Sequence, residues 1–360
     1  MSAAGEAQDG NVASPRDCAR PMLNASLIRR SNGGRMSAVL VVRPSSLGDI
    51  VHALALVADV HEKCPGTAVD WVAEEDFAPL VALHPGVRRI VPVALRRWRS
   101  RLLSASTWRE MAAFRDDLRR DDYVAVLDLQ EQVKGALIAR LARGAHHGPD
   151  RASIREPIAT LVHDVHHAID PNQHLIDRCR QLAAAALAYR ADGPPRFGLV
   201  TPGASGLELI PDRPYMVFLH ATSRAAKMWP EANWRALIGA FARAGFAMLL
   251  PWGMPTNARA ASASPPARPR PVFRHGSRST RSRRSSPAPS SSSASIRGSM
   301  HLAAALGTPT VSLFVATDAK LAGVERASAL ARDLGGVGRV PSVDEVLDAA
   351  GALLRRAPQG

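Results

Sequence analysis

In the stretch Ser37-Ala38-Val39-Leu40-Val41-Val42-Arg43-Pro44-Ser45-Ser46-Leu47-Gly48-Asp49-Ile50-Val51-His52-Ala53-Leu54-Ala55-Leu56-Val57-Ala58-Asp59-Val60, an apolar run is closed by Arg43-Pro44. The run is short, rich in β-branched side chains and ended by proline, which reads as a parallel strand buried on both faces. Beyond Asp49, Ile50, Val51, Leu54, Val57 and Ala58 recur at helical spacing, so Gly48 marks a strand-to-helix turn. Ser45, Ser46 and Asp49 therefore fall at the carboxyl edge of the first strand, where open α/β sheets bind ligands. Two readings of Asp49 stay open from the residues alone: a helix cap, or a carboxylate that does chemistry.

Working outward, strand and helix patterns alternate. Residues 67–73, 89–93 and 123–129 read as strands, and 108–119, 133–143 and 175–189 as helices. This alternation predicts a doubly wound parallel sheet over 36–200. A Pro- and Gly-rich linker over 201–214 follows. The pattern then restarts with a strand at 215–220, a helix at 230–244 and a strand at 246–250. It resumes at 300–306, with a strand at 310–314 and a helix at 343–355 opened by the capping box Ser342-Val343-Asp344-Glu345. Two Rossmann-like domains, 36–200 and 215–355, are expected to face a ligand cleft. Residues 1–35 lack periodicity and read as a disordered extension, or as a start placed upstream of Met36.

The 360 residues carry 46 Lys plus Arg against 32 Asp plus Glu, a net charge of +14. Nine arginines and no acid lie between Gly253 and Met300, so that segment holds +9 and leaves +5 for the rest. A nucleic-acid-binding protein would spread its cations over a structured face with interleaved aromatics. Here they form one block with a single aromatic, Phe273, and no nucleic-acid partner is expected. Cys18, Cys64 and Cys179 show no paired or metal-type spacing, and no run approaches the length of a membrane span, so a cytoplasmic protein is expected.

Three clusters carry chemistry. His220-Ala221-Thr222-Ser223-Arg224-Ala225-Ala226-Lys227 follows a strand and precedes a helix. Its hydroxyls at Thr222 and Ser223, loop N–H groups and the Lys227 cation suit a diphosphate. Arg96-Arg97-Trp98-Arg99 follows a strand, and its guanidinium groups suit carboxylates or phosphates, or form a solvated charged face. Asp128-Leu129-Gln130 ends another strand, with Lys134 a turn beyond. His146-His147 and His166-His167 have no third ligand at metal spacing and read as surface or acceptor-side residues; no metal is expected. No G-x-G-x-x-G follows the first strand, which argues against a dehydrogenase.

Together Ser45-Ser46-Leu47-Gly48-Asp49, the 90–99 stretch, Arg155-Glu156-Pro157, the 220–230 stretch and Leu250-Pro251-Trp252-Gly253 resemble the bacterial lipopolysaccharide heptosyltransferases. The similarity is greatest to members that add the first heptose. It implies a GT-B fold and inverting transfer of heptose from ADP-heptose to Kdo of Kdo2-lipid A, with no obligatory cofactor, by a protein peripheral on the anionic surface of the inner membrane. Carried onto this chain, Asp49 is the general base, and Thr222, Ser223, Lys227, Gly298 and His301 are on the donor side. Arg96, Arg97, Arg99, Ser46 and Lys134 are on the acceptor side. A member adding the second heptose, or another GT-B transferase, is the alternative.

One segment departs from the family. Where the family has Asp-Thr-Gly-Leu, this chain has Ile296-Arg297-Gly298-Ser299. Ser295 to Ser299 can be encoded TCG ATA CGG GGC TCG, and one base earlier that string reads Val-Asp-Thr-Gly-Leu. The same step at residues 254–259 permits His-Ala-Asp-Glu-Arg-Ala. Residues 254–299 are thus read as frame-shifted, and the chain as written is expected to be poorly folded in its second half and weak or inactive in transfer.

Overall fold

The computed structural model describes residues 37–201, 211–220, 228–251 and 298–357. The readings made for 1–35, for most of the linker and for 254–297 lie outside the described residues.

Six parallel strands form the first sheet in the order β3-β2-β1-β4-β5-β6. They are β1 (Ala38–Val42), β2 (Ala68–Glu74), β3 (Val87–Val93), β4 (Asp122–Asp128), β5 (Arg143–Pro149) and β6 (Val165–His167). Every residue of β1 and β2 is buried, because helices cover both faces. The two-residue period divides β1 between them. Val39 and Val41 pack toward α1 (Leu47–Lys63) and α5 (Leu175–Leu187). Ala38, Leu40 and Val42 pack toward α2 (Leu95–Arg99), α3 (Ala105–Leu118) and α4 (Val133–Ala139). The α1–α5 contact also contains a buried ion pair, Arg180 to Asp59 at 2.7 and 3.0 Å.

The helix expected over 133–143 ends at Ala139, and Arg143 begins β5. Arg-Gly-Ala-His-His-Gly-Pro lacks the β-branched signal of a strand, so only pairing with β4 reveals it. His146 and His147 are correspondingly buried at 3% and 1% exposure, which corrects their reading as surface residues. His146 Nδ1 meets Asp164 Oδ2 at 2.6 Å, and the His147 and His167 rings stack.

The second half forms two parallel pairs among the described residues, β7 (Tyr215–Val217) with β8 (Ala247–Leu249), and β9 (Thr310–Phe314) with β10 (Ala331–Gly335). They share an apolar cluster with α6 (Glu231–Arg243) and α8 (Val343–Arg356) through Phe218, Trp229, Phe241 and Val346. The capping box at Ser342 and Glu345 is present. Helix α7 (Gly298–Ala305) packs on both halves, with Ala304 against Val324 and Ala331, and Leu302 and Ala305 against Val51, Ala55 and Ile176. Arg326 also pairs with Asp177 at 2.6 and 2.8 Å, and Leu175 N–H donates to Leu321 O at 2.8 Å. No helix among the described residues is long and apolar enough to cross a membrane.

Candidate active site

The centre of the first sheet fixes the site, because β1 delivers its carboxyl end between β2 and β4. Ser46 is the N-cap of α1 and Asp49 its third residue. Asp49 Oδ2 accepts from Ser46 N–H at 2.9 Å and from Ser46 Oγ–H at 2.8 Å. The cap reading is therefore realised in geometry, and it does not exhaust the group. A third of the Asp49 side chain stays open to solvent, and its second oxygen lies 3.3 Å from Arg43 Nη2. A carboxylate held on one side by a cap and on the other by a cation is oriented without being covered.

Sequence reasoning missed Arg43. It is 5% exposed, and Nη1 donates to the carbonyl of Leu129, so one guanidinium ties the end of β1 to the end of β4. Its position directly after the apolar run was the available signal, since a cation there has no route to solvent except across the sheet edge. Behind it lies a second buried layer. Glu131 pairs with Arg178 at 2.6 Å, and burial pushes its carboxyl above the usual range. Asp128 and His163, both fully buried, meet at 3.0 Å. Gly148 is required there, because a β-carbon on it would lie 2.1 Å from the His163 ring.

The donor-side candidates Gly298 and His301 come to the same place from 250 residues away in sequence. A β-carbon on Gly298 would lie 2.7 Å from Leu47, so only glycine lets α7 approach this closely. His301 sits over the first turn of α1. A β-carbon on Gly48 would fall 2.7 Å from its Cδ2, and its Nδ1 lies 3.1 Å from His52 Nε2. His52, also unread from sequence, is 2% exposed; burial first, and the neighbouring His301 next, hold it well below the usual histidine range. His174 meets His52 edge to face and reaches the carbonyl of Gly323 at 3.1 Å, so the ring cluster spans both halves.

Of the acceptor-side candidates, Arg96 is anchored through its backbone N–H to Glu74 Oε1 at 3.0 Å, while its exposed guanidinium lies 3.7 Å from Asp76. Arg97 is engaged by Glu75 at 3.0 and 3.1 Å and by Glu110 at 2.5 Å, which leaves it less free for an anion than the cluster suggested. Arg99 and Lys134 are exposed, with Lys134 in the first turn of α4, whose amino end is held by Glu156 at 2.9 Å. Thr222, Ser223 and Lys227 lie outside the described residues. Among the described residues, no group of three or more His, Cys, Asp or Glu side chains is placed to hold a metal ion.

This arrangement sets an oriented carboxylate at a sheet edge, on a helix whose first turn carries an imidazole supplied by the other half. Glycosyltransferase family 9 (heptosyltransferase) matches residues 111–269. Lipopolysaccharide heptosyltransferase 1 of Escherichia coli K12 is 43% identical over 220 residues, covering 60% of this chain and 68% of the relative. The chain belongs to glycosyltransferase family 9. Another family member, lipopolysaccharide heptosyltransferase 1 of Pseudomonas aeruginosa, is 39% identical over 217 residues, covering 60% of this chain and 61% of its own. The structure of E. coli heptosyltransferase WaaC with ADP superposes with a TM-score of 0.70 at 32% identity, covering 88% of this chain and 99% of that one. The family's GT-B architecture is thus the architecture of this chain.

Proposed function

We propose that this chain transfers heptose from ADP-heptose to a Kdo hydroxyl of Kdo2-lipid A, in lipopolysaccharide core assembly, with inversion at the anomeric carbon. The observation that carries the reading is the oriented, partly open Asp49 carboxylate on the helix turn whose Gly48 lies under His301. The reading is also supported by the E. coli relatives solved with ADP and with ADP-2-deoxy-2-fluoro heptose. The curated heptosyltransferase 1 relatives favour the first transfer over the second, since the heptosyltransferase II structure is only 17% identical.

In this reading Asp49 takes the proton of the acceptor hydroxyl as its oxygen attacks the anomeric carbon. The bond to the diphosphate breaks in the same displacement, and ADP leaves with the electron pair. Ser46 and Arg43 keep the carboxylate aimed. Thr222, Ser223 and Lys227 neutralise the departing diphosphate, with Gly298 and His301 on the donor face, and no metal or cofactor is obligatory. Arg96, Arg99 and Lys134, with Arg97 where Glu75 and Glu110 release it, meet the acidic acceptor. The protein works at the cytoplasmic side of the anionic inner membrane.

The test is transfer of one heptose onto Kdo2-lipid A by the chain with its reading frame restored over 254–299, followed by mass spectrometry. Asp49→Asn is expected to lower the rate by about 10²–10⁴-fold with ADP binding unchanged. A variant within threefold of the parent refutes the assignment of Asp49.

A further inference from the structure

Hydrogen bonds join Glu156, of the Arg155-Glu156-Pro157 motif, to the loop that carries Asp49. Its two carboxylate oxygens accept from Gln132 Nε2 and from Val133 N–H, each at 2.9 Å. Gln132 Oε1 accepts in turn from Gln130 Nε2 at 3.0 Å, and Gln130 Oε1 from the backbone N–H of Ser45 at 3.3 Å. Ser45 is followed by Ser46, whose N–H and hydroxyl both donate to Asp49 Oδ2. The residue before Gln130 holds the other side of the loop: Arg43 donates to Leu129 O, while its Nη2 faces Asp49 Oδ1 at 3.3 Å.

The segment that makes this link is itself fixed. Gln130 is 6% exposed, and its N–H donates to Asp128 Oδ1 at 3.0 Å. Gly135, in α4, leaves room for it, since a β-carbon there would lie 2.3 Å from Gln130 Cβ. Glu131 has a φ of 57°, a left-handed conformation that a residue other than glycine keeps only where its surroundings impose it. Arg178 holds its carboxylate, and its carbonyl accepts from Glu156 N–H at 3.1 Å. The direction of the amides is fixed as well. A carboxylate only accepts, so Gln132 turns its nitrogen to Glu156 and its oxygen to Gln130, which leaves the Gln130 oxygen toward Ser45. The row runs between two backbone donors, Ser45 N–H and Val133 N–H, and closes without a mismatch only when one of its three side chains is a carboxylate.

We infer that Glu156 is a positioning residue for Asp49: its charge sets the direction of the Gln132 and Gln130 amides, and these seat the Ser45-Ser46 backbone that aims the carboxylate. Glu156 acts through the row and not by contact with the reacting atoms. The inference rests on Asp49 being the base proposed above and adds what holds it in line. Its sharpest consequence is that the charge can be moved. In Glu156→Gln or Gln130→Glu alone, two like groups must face each other, donors in the first case and acceptors in the second. In the double variant the displaced carboxylate accepts from Ser45 N–H and from Gln132, the Gln132 oxygen meets the new amide, and Val133 N–H keeps an acceptor.

Heptose transfer by the two single variants and the double variant is compared in the chain with its reading frame restored over 254–299. Each single change is expected to lower kcat by about 10–100-fold with KM for ADP-heptose unchanged, and the double variant to recover to within a few-fold of the parent. Single variants at the parent's kcat, even with a lowered melting temperature, overturn the inference, as does a double variant no faster than they are. Hydrogen exchange over residues 41–50, read by mass spectrometry, needs no transfer. The Ser45 amide should exchange faster in each single variant and at the parent's rate in the double variant, and unchanged exchange in the single variants overturns the inference. Exchange as expected with no transfer by the parent sinks the proposed function, whereas transfer by the parent with unchanged exchange sinks the positioning row alone.

Discussion

Replacing Gly48 with alanine tests the contact by which the second half reaches Asp49. An alanine near a helix start ordinarily stabilises by about 0.5 kcal/mol relative to glycine. Here the new β-carbon lies 2.7 Å from His301 Cδ2 and 3.3 Å from Nε2. The ring cannot simply swing away, since Nδ1 is bonded to His52 at 3.1 Å and the two rings pack at 4.4 Å between centroids. Overpacking of this kind costs about 1–3 kcal/mol, and displacing the ring loses a hydrogen bond worth about 1 kcal/mol. Gly48→Ala is therefore expected to destabilise by about 1–3 kcal/mol in the parent. In a His301→Ala background the obstruction is gone, and the same change should become neutral or stabilising by about 0.5 kcal/mol. Urea unfolding of the four proteins gives the coupling directly, provided fluorescence and circular dichroism transitions coincide. Additive effects, with coupling under about 0.5 kcal/mol, would mean that His301 does not rest on the first turn of α1 in solution.

Three further outcomes are expected. Burial lowers the His84 and His147 imidazoles to about 4, so the folded protein keeps both neutral while the unfolded chain protonates them near 6.5. Their contribution is complete above pH 6.5 and is lost as pH falls toward 4, about 2 kcal/mol each by pH 5, and denaturation of His147→Gln should show a shallower slope across that window; an unchanged slope counts against a neutral buried His147. Asp59→Ala leaves the Arg180 guanidinium buried, although it keeps the carbonyls of Asp192 and Gly193 at 3.0 Å, and should cost about 3–5 kcal/mol in urea unfolding; a loss under 1 kcal/mol would contradict a closed α1–α5 contact. Restoring the frame over 254–299 should return Asp-Thr-Gly-Leu ahead of Met300-His301 and raise heptose transfer well above that of the chain as written, and equal rates would refute the shift.

Much of the site was legible because its signals are local. Five apolar residues closed by proline state a buried strand, and Gly48-Asp49 before a helical period states the turn that presents a carboxylate. The strands at 67–73 and 123–129 and the helix at 175–189 were readable for the same reason. Strand β5 was not, since histidine and glycine form it only because β4 offers a hydrogen-bonding edge. The arginine cluster was legible as charge and not as availability, because the engagement of Arg97 depends on Glu110 from another helix.

The sequence by itself determined the periodicities, the order of the motifs, and hence the family and the place of Asp49 at the end of the first strand. Only the tertiary structure decided which groups surround it. Arg43 faces Asp49 because β1 and β4 are neighbours, and His301 meets Gly48 and His52 because two glycines let α7 lie against α1. Contacts between residues 86 to 253 positions apart leave no periodic trace in the chain. They arise from strand order and from close packing, which act only once the sheet has formed.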